Sequence, residues 1–464
     1  MSDPTMSENA VNGWPSDRLS PGDDGFEQAV IDGVFAAVSE PGRPELVVRP
    51  HSVDDVAAAV RAAAAEGKRI AIRSGGHSWV AASVREGGVL LDLGHLADVS
   101  VAEDGLTARI GPAIRGRQLS VLLEDQGLAF PVGHCGDPGV GGFLLGGGLG
   151  VNWGQWLPSC FSVRSMQVVT ADGEVRTASA DENADLFWLA RGSGAGFPGV
   201  VTEFEVGLRP LPGAIRVSTW QFPLHDLAAV TEWIEAASSE LPSSVEVSLV
   251  TQGAQRPGGP GDEPFVVGVA ATVFADSDEE AAEALRPLGD GPADVRQLNH
   301  VERVPARLSE LHVPVDATYP RGARYLADPF WTDLPLSEAM APLDELMRSA
   351  PSGRSYVLAG MPDNGAGASL VPVGEAAYGM HDVSLLIVYV IWDDPVDDQA
   401  NRDWLDEVAA ALLPTATGHA LSEADIREHP ERVARSFRAE DWDRIRSLTE
   451  TFDPAGLFYR FPTA

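Results

Sequence analysis

With 464 residues, 44% of them hydrophobic, the chain can bury a sizeable core and is long enough for two or three domains. Sixty-eight acidic against 33 basic residues give a formal charge of −35, which repels phosphate backbones and anionic lipid and so excludes nucleic acid and membrane surfaces as partners. No apolar run reaches membrane-spanning length, and the two cysteines, Cys135 and Cys160, read as reduced thiols of a cytoplasmic protein.

Residues 1–24 are polar, carry Pro and Gly, and lack a basic-then-apolar pattern, so they read as a loose leader and not as a signal peptide. "ELVVRP" (45–50) predicts a strand and 52–69 a helix, capped by Ser52, acidic in its first turn and closed near Gly67. "IAIRSG" (70–75), "GVLLDL" (88–93) and "TARIGP" (107–112) predict further short strands; 165–179 predicts a hairpin turning at Asp172-Gly173. The pattern changes near Leu211-Pro212-Gly213. Long strands follow at 245–252, 265–274 and 384–392, with helices at 277–286 and 396–413, which predicts one broad sheet covered on a face. The Gly/Pro stretch 253–263 reads as a hairpin loop.

Seven of the twelve residues from 139 to 150 are glycine. Each costs a helix about 1 kcal/mol, so such a run belongs where backbone must pass very close to something, and its exposed N–H groups make an anion cradle. "RSGGHS" (73–78) is a shorter stretch of the same kind. A Walker loop would need Gly-Lys-Ser/Thr, and a Rossmann reading lacks the strand-then-helix setting and the following acidic residue. The residues alone leave two readings open, an anion cradle and a structural turn.

The segment "RSGGHSW", with Cys135 ahead of Gly139, Gly141, Gly142, Gly146, Gly147, Gly148 and Gly150, resembles the berberine bridge enzyme-type branch of the vanillyl-alcohol oxidase flavoprotein family. The blocks at 168–175, 182–210 and 452–458 resemble that family's remaining blocks in order, so the likeness runs from about residue 40 to 460. It implies an α+β protein: a two-subdomain PCMH-type FAD-binding domain over 25–212, a substrate domain of helix-covered antiparallel sheet over 213–414, and a segment, 415–464, returning to the FAD domain. It also implies a bicovalent FAD, with His77 on the flavin 8α-methyl group and Cys135 on ring carbon 6. Imidazole nitrogen and thiolate suit those electron-poor positions. Arg73, Ser74, Gly75, Gly76, His77 and Ser78, with Gly139, Val140, Gly141, Gly142 and on to Val151, are expected to line the diphosphate and ribityl chain; Gly199, Val200 and Val201 belong at the adenine end. Cys160 reads as structural. No metal is expected.

The implied chemistry is hydride transfer from a small-molecule substrate to flavin N5 and reoxidation by O2 to H2O2. Pro138, three residues after Cys135, holds the position that influences oxygen access in this family. The family's Tyr-x-Asn base motif is missing from 416–425, where His419 stands nearest; Tyr389, Tyr325, His381 and Asp382 are the other candidates. Phe143 and "GFPG" (196–199) are further departures from the family pattern, Phe143 replacing a histidine and "GFPG" a "GNFG". Trp220, Phe330, Trp331 and Trp392 lean toward an apolar or aromatic substrate, set against plain core packing. The reading is a flavin oxidase tailoring a secondary metabolite or oxidising a carbohydrate. The competing class is a flavoprotein that sequesters a ligand without turnover.

Overall fold

Ser52 caps the first long helix as expected: its hydroxyl accepts the Asp55 N–H, the helix runs Val53–Glu66, and Gly67 ends it in the left-handed region. The computed structural model describes residues 13–37, 42–253, 264–362 and 371–461. Most of the loop expected at 253–263 lies outside the described residues.

That helix is the spacer between two sheets. On one side Leu46–Val48, Val89–Asp92 and Ile70–Arg73 form a parallel set in that order, with Arg18–Leu19 added antiparallel at the edge. On the other is a five-stranded antiparallel sheet in the order Val99–Val101, Thr107–Ile110, Gly199–Gly207, Val163–Thr170, Val175–Ser179. The helix buries Val56, Ala59, Val60 and Ala63 with Val48 and Leu91 of the first sheet and Val169 and Val200 of the second. Each such aliphatic side chain contributes about 1.5–3 kcal/mol on leaving water. The hairpin turns at Gly173, whose φ is +76° and whose N–H reaches the Thr170 carbonyl.

The second half of the chain builds an eight-stranded antiparallel sheet, ordered Asn299–Pro305, Ala214–Pro223, Phe265–Ala275, Val245–Gly253, Tyr356–Gly360, Ser384–Trp392, Arg324–Thr332, Ala416–Gly418. Strand alternation gives it two unlike faces. Leu326, Phe330, Val357, Leu386, Val388 and Trp392 pack under the helices, including Leu227–Ser238 and Asp398–Leu412. Tyr325, Ala327, Trp331, Tyr356, Leu385, Ile387 and Tyr389 face the other way, toward Phe35, Trp79 and Cys135 of the first half.

Two boundaries differ from the sequence reading. The described part of the leader is packed, with Trp14 buried and Arg18–Leu19 paired to Leu46–Val48. Residues 416–418 are still the edge strand of the large sheet, and the return to the first half begins after them. There helix Ala439–Phe452 lies on Ala184–Ala190, with Arg444 bonded to Asp185, and Phe458 pairs beside Ile70.

Candidate active site

The two glycine-bearing loops touch backbone to backbone. A Cβ on Gly75 would land on the Gly139 nitrogen, and one on Gly139 would sit 2.7 Å from the Gly75 nitrogen. Arg115 locks the pair by donating from Nη1 to the carbonyls of Gly75 and Asp137, and Ser74 Oγ donates to the Pro112 carbonyl at 2.6 Å. The contact leaves the N–H groups of Gly75, Gly76, His77 and Ser78 without any protein acceptor among the described residues. Four neighbouring free donors form the kind of concavity that binds a phosphate. Arg73 itself is spent elsewhere: its guanidinium is buried against Asp92 at 2.7 Å and the Ala29 carbonyl.

The rest of the glycine run serves the protein's own packing. Gly147 and Gly148 have φ of +103° and +76°, with Cβ positions blocked by the Tyr378 ring and by Ser159 and Phe143. Gly146 is closed off by Ser422, Gly150 bridges Gly133, and Val140 and Val151 are buried. Gly141 abuts Pro112, whereas a Cβ on Gly142 meets nothing. Gly199, Val200 and Val201 lie in a buried strand against Thr170, Val169 and Val168. Ser78 Oγ accepts the Ala82 N–H.

His77 and Cys135 both come to the aromatic cluster around Phe35. The His77 ring stacks on Phe35 at 4.1 Å and lines a cavity of about 250 Å³ with Arg117, Asp137, Asp316, Tyr319 and Arg321. Burial lowers its pKa to about 4 despite the Asp137 carboxylate, so the ring is neutral at pH 7 with a nitrogen lone pair available. Cys135 packs with Phe35 and Trp79; burial, then the carboxylates of Glu423, Asp316 and Asp137, raise its thiol well above the ordinary range. Cys160 is a free thiol buried with Val371 and Tyr378, as a structural residue would be.

The roof of the cleft is aromatic. Trp79 meets Tyr325 at 4.7 Å and Tyr389 at 5.1 Å, Tyr389 meets Tyr356 at 4.8 Å, and the Tyr319 and Tyr356 hydroxyls bond to each other. Tyr325 donates to the Pro320 carbonyl at 2.6 Å. Tyr389 donates to Glu423 Oε2 at 2.7 Å. Glu423 is exposed over part of its surface, yet protein crowded around its carboxyl raises its pKa, and burial raises the Tyr389 phenol well above its usual value. Glu423 was not expected from sequence. The only signal was its place in 416–425, the stretch that lacks the expected motif.

His419 does not enter this cleft. It is fully buried, with Nδ1 2.9 Å from the Pro329 carbonyl, Asp328 at 3.5 Å and Phe330 against its ring. Asp328 and Phe330 alternate with Pro329 and Trp331 and belong to the opposite face of the strand, so His419 is part of a buried Asp328–Arg432 ion pair and not a base for the cleft. His381 lies by Trp331 at 5.7 Å, and Asp382 accepts the Val383 N–H. Trp220, Phe330 and Trp392 are core beneath the helices; only Trp331 of that group faces the cleft.

These residues fit an FAD: free amides for its diphosphate, a loop contact that tolerates only glycine, and a neutral imidazole and a thiol at one aromatic cluster. A model of the FAD binding domain family matches residues 44–179. The chain is 30% identical over 455 residues to the FAD-linked oxidoreductase penO of Penicillium crustosum, covering 97% of this chain and 96% of that one. It is 28% identical over 432 residues, 90% of each chain, to (R)-6-hydroxynicotine oxidase of Paenarthrobacter nicotinovorans. The solved structure of Physcomitrella patens BBE-like 1 superposes with a TM-score of 0.82 over 96% of each chain at 19% identity. The chain therefore belongs to the FAD-linked oxidoreductases, and it shares the fold of the BBE-like structure.

Proposed function

We propose that this oxidoreductase is an oxidase that holds FAD covalently through His77 and Cys135 and tailors an apolar or aromatic secondary metabolite, passing electrons to O2 with release of H2O2. The observation that carries the reading is that one aromatic cluster takes the His77 ring on Phe35, packs Cys135 and contains Tyr389 with its bond to Glu423. Bound FAD supplies the hydride acceptor. Trp79, Tyr319 and Tyr356 orient a flat substrate and exclude water. As hydride leaves the substrate carbon, its hydroxyl or amine proton passes to Tyr389 Oη while Tyr389 gives its own to Glu423 Oε2. The missing Tyr-x-Asn motif thus leaves the cleft with a proton acceptor, which weakens the sequestering alternative.

Intact mass after acid denaturation, with peptide mapping, tests the attachment. A mass raised by one FAD, with His77 and Cys135 peptides joined through it, is the expected result. FAD released on denaturation overturns the covalent reading. A peroxide screen over aromatic alcohols and amines tests turnover; ligands that bind and yield no peroxide with any compound would favour sequestration.

A further inference from the structure

The four-stranded sheet brings three metal-binding side chains to one end. Asp17 precedes Arg18–Leu19, His51 follows Leu46–Val48, and His95 follows Val89–Asp92, on three neighbouring strands. His51 Nε2 is 3.0 Å and His95 Nε2 3.7 Å from the same oxygen, Asp17 Oδ2, and all three donor atoms lie within 4.8 Å of one another. The two imidazoles stack at 3.9 Å with planes 18° apart.

A surface ion pair explains half of this arrangement. The His51–Asp17 contact is an ordinary hydrogen bond, but His95 Nε2 stops short of bonding distance while aiming at the same oxygen, and no other protein partner engages it among the described residues. Arg49 takes the opposite oxygen, Oδ1, at 2.6 Å, which orients the carboxylate so that Oδ2 faces the two rings. Zinc bonds of 2.0–2.2 Å in a tetrahedron put ligand atoms about 3.4 Å apart, between the two separations seen here. Turning the half-exposed rings about χ2 brings their lone pairs together at little cost.

We infer that Asp17, His51 and His95 form a surface site for a borderline divalent cation of the Zn²⁺ class, separate from the flavin cleft. Two imidazoles and one carboxylate suit Zn²⁺ better than Ca²⁺ or Mg²⁺, which take oxygen donors. Three protein ligands leave one position for water. A cation there would tie the segment from Gly13 to Asp24 more firmly to the sheet, adding to the two paired strand residues, the buried Trp14 with its bond to Glu66, and the Arg49 and His51 contacts to Asp17.

The test is calorimetric titration of the chelator-treated, flavin-loaded protein with Zn²⁺ alone, beside His51→Gln and His95→Gln. One equivalent should bind, each variant should weaken binding at least ~10-fold, and Zn²⁺ should raise the Tm of wild type but not of the variants. Metal-free Tm and FAD content of both variants should match wild type. Absence of one-to-one binding, or binding unchanged in both variants, overturns the site and leaves a plain surface ion pair.

Discussion

Tyr389 and Glu423 share a hydrogen bond in surroundings whose burial raises the pKa of both, so the two groups hold their protons more tightly than in water and titrate as a coupled pair. Glu423→Gln and Tyr389→Phe should each slow anaerobic flavin reduction by about 10²–10⁴-fold while FAD stays bound, measured by stopped flow with a substrate from the peroxide screen. The wild-type rate should rise with pH as Glu423 loses its proton, and this limb should vanish in Glu423→Gln. Stability follows from the same shift. A folded value above the unfolded 4.5 favours the protonated folded form, so the contribution of Glu423 is complete below that pH and is lost as pH rises through the folded value. His77 has the opposite sign. Its folded value of about 4 lies below 6.5, so its contribution is present above pH 6.5 and lost as pH falls toward 4. In Tm of the flavin-free protein measured against pH, His77→Ala should flatten the loss over that interval; an unaltered acid limb would mean that the unmodified His77 is not held neutral by burial.

At the scale of loops and strands, the glycines separate by what their missing Cβ would strike. Gly75→Ala drives a methyl into the Gly139 backbone and should cost about 1–3 kcal/mol and most of the bound FAD, read from Tm and the flavin-to-protein absorbance ratio. Gly142→Ala meets open space and should keep its Tm. This distinction is not visible in a run of glycines, where every position looks alike. Local signals were legible: the Ser52 cap, the Asp172-Gly173 turn, and the order of His77 and Cys135 ahead of the glycines. The cleft face was not, because it depends on which strands flank Ser384–Trp392. Those are Tyr356–Gly360 and Arg324–Thr332, and neither reads as a strand neighbour from sequence. Tyr356, Tyr319 and Glu423 therefore went unseen. His419 misled for the same reason: chain position put it near the missing motif, whereas alternation along Arg324–Thr332 put its partners, Asp328 and Phe330, on the far face.

For the molecule as a whole, a charge of −35 opposes compaction, so raising salt from about 10 to 150 mM should raise Tm as the repulsion is screened; a flat response would mean that local ion pairing already cancels it. The pairing of Phe458 beside Ile70 has another consequence, for biosynthesis. The Ile70 N–H and carbonyl are bonded to Leu457 and Tyr459, and the buried Asp453 carboxylate holds the turn that delivers them. The strand that leads into the His77 loop thus lacks its outer neighbour until the ribosome has reached Phe458. At 5–20 residues per second the delay between His77 and Phe458 is roughly 20–75 s. Through that interval the nascent chain exposes an unpaired strand edge, and the loop that bears His77 gains its full support only after residues 457–459 are made.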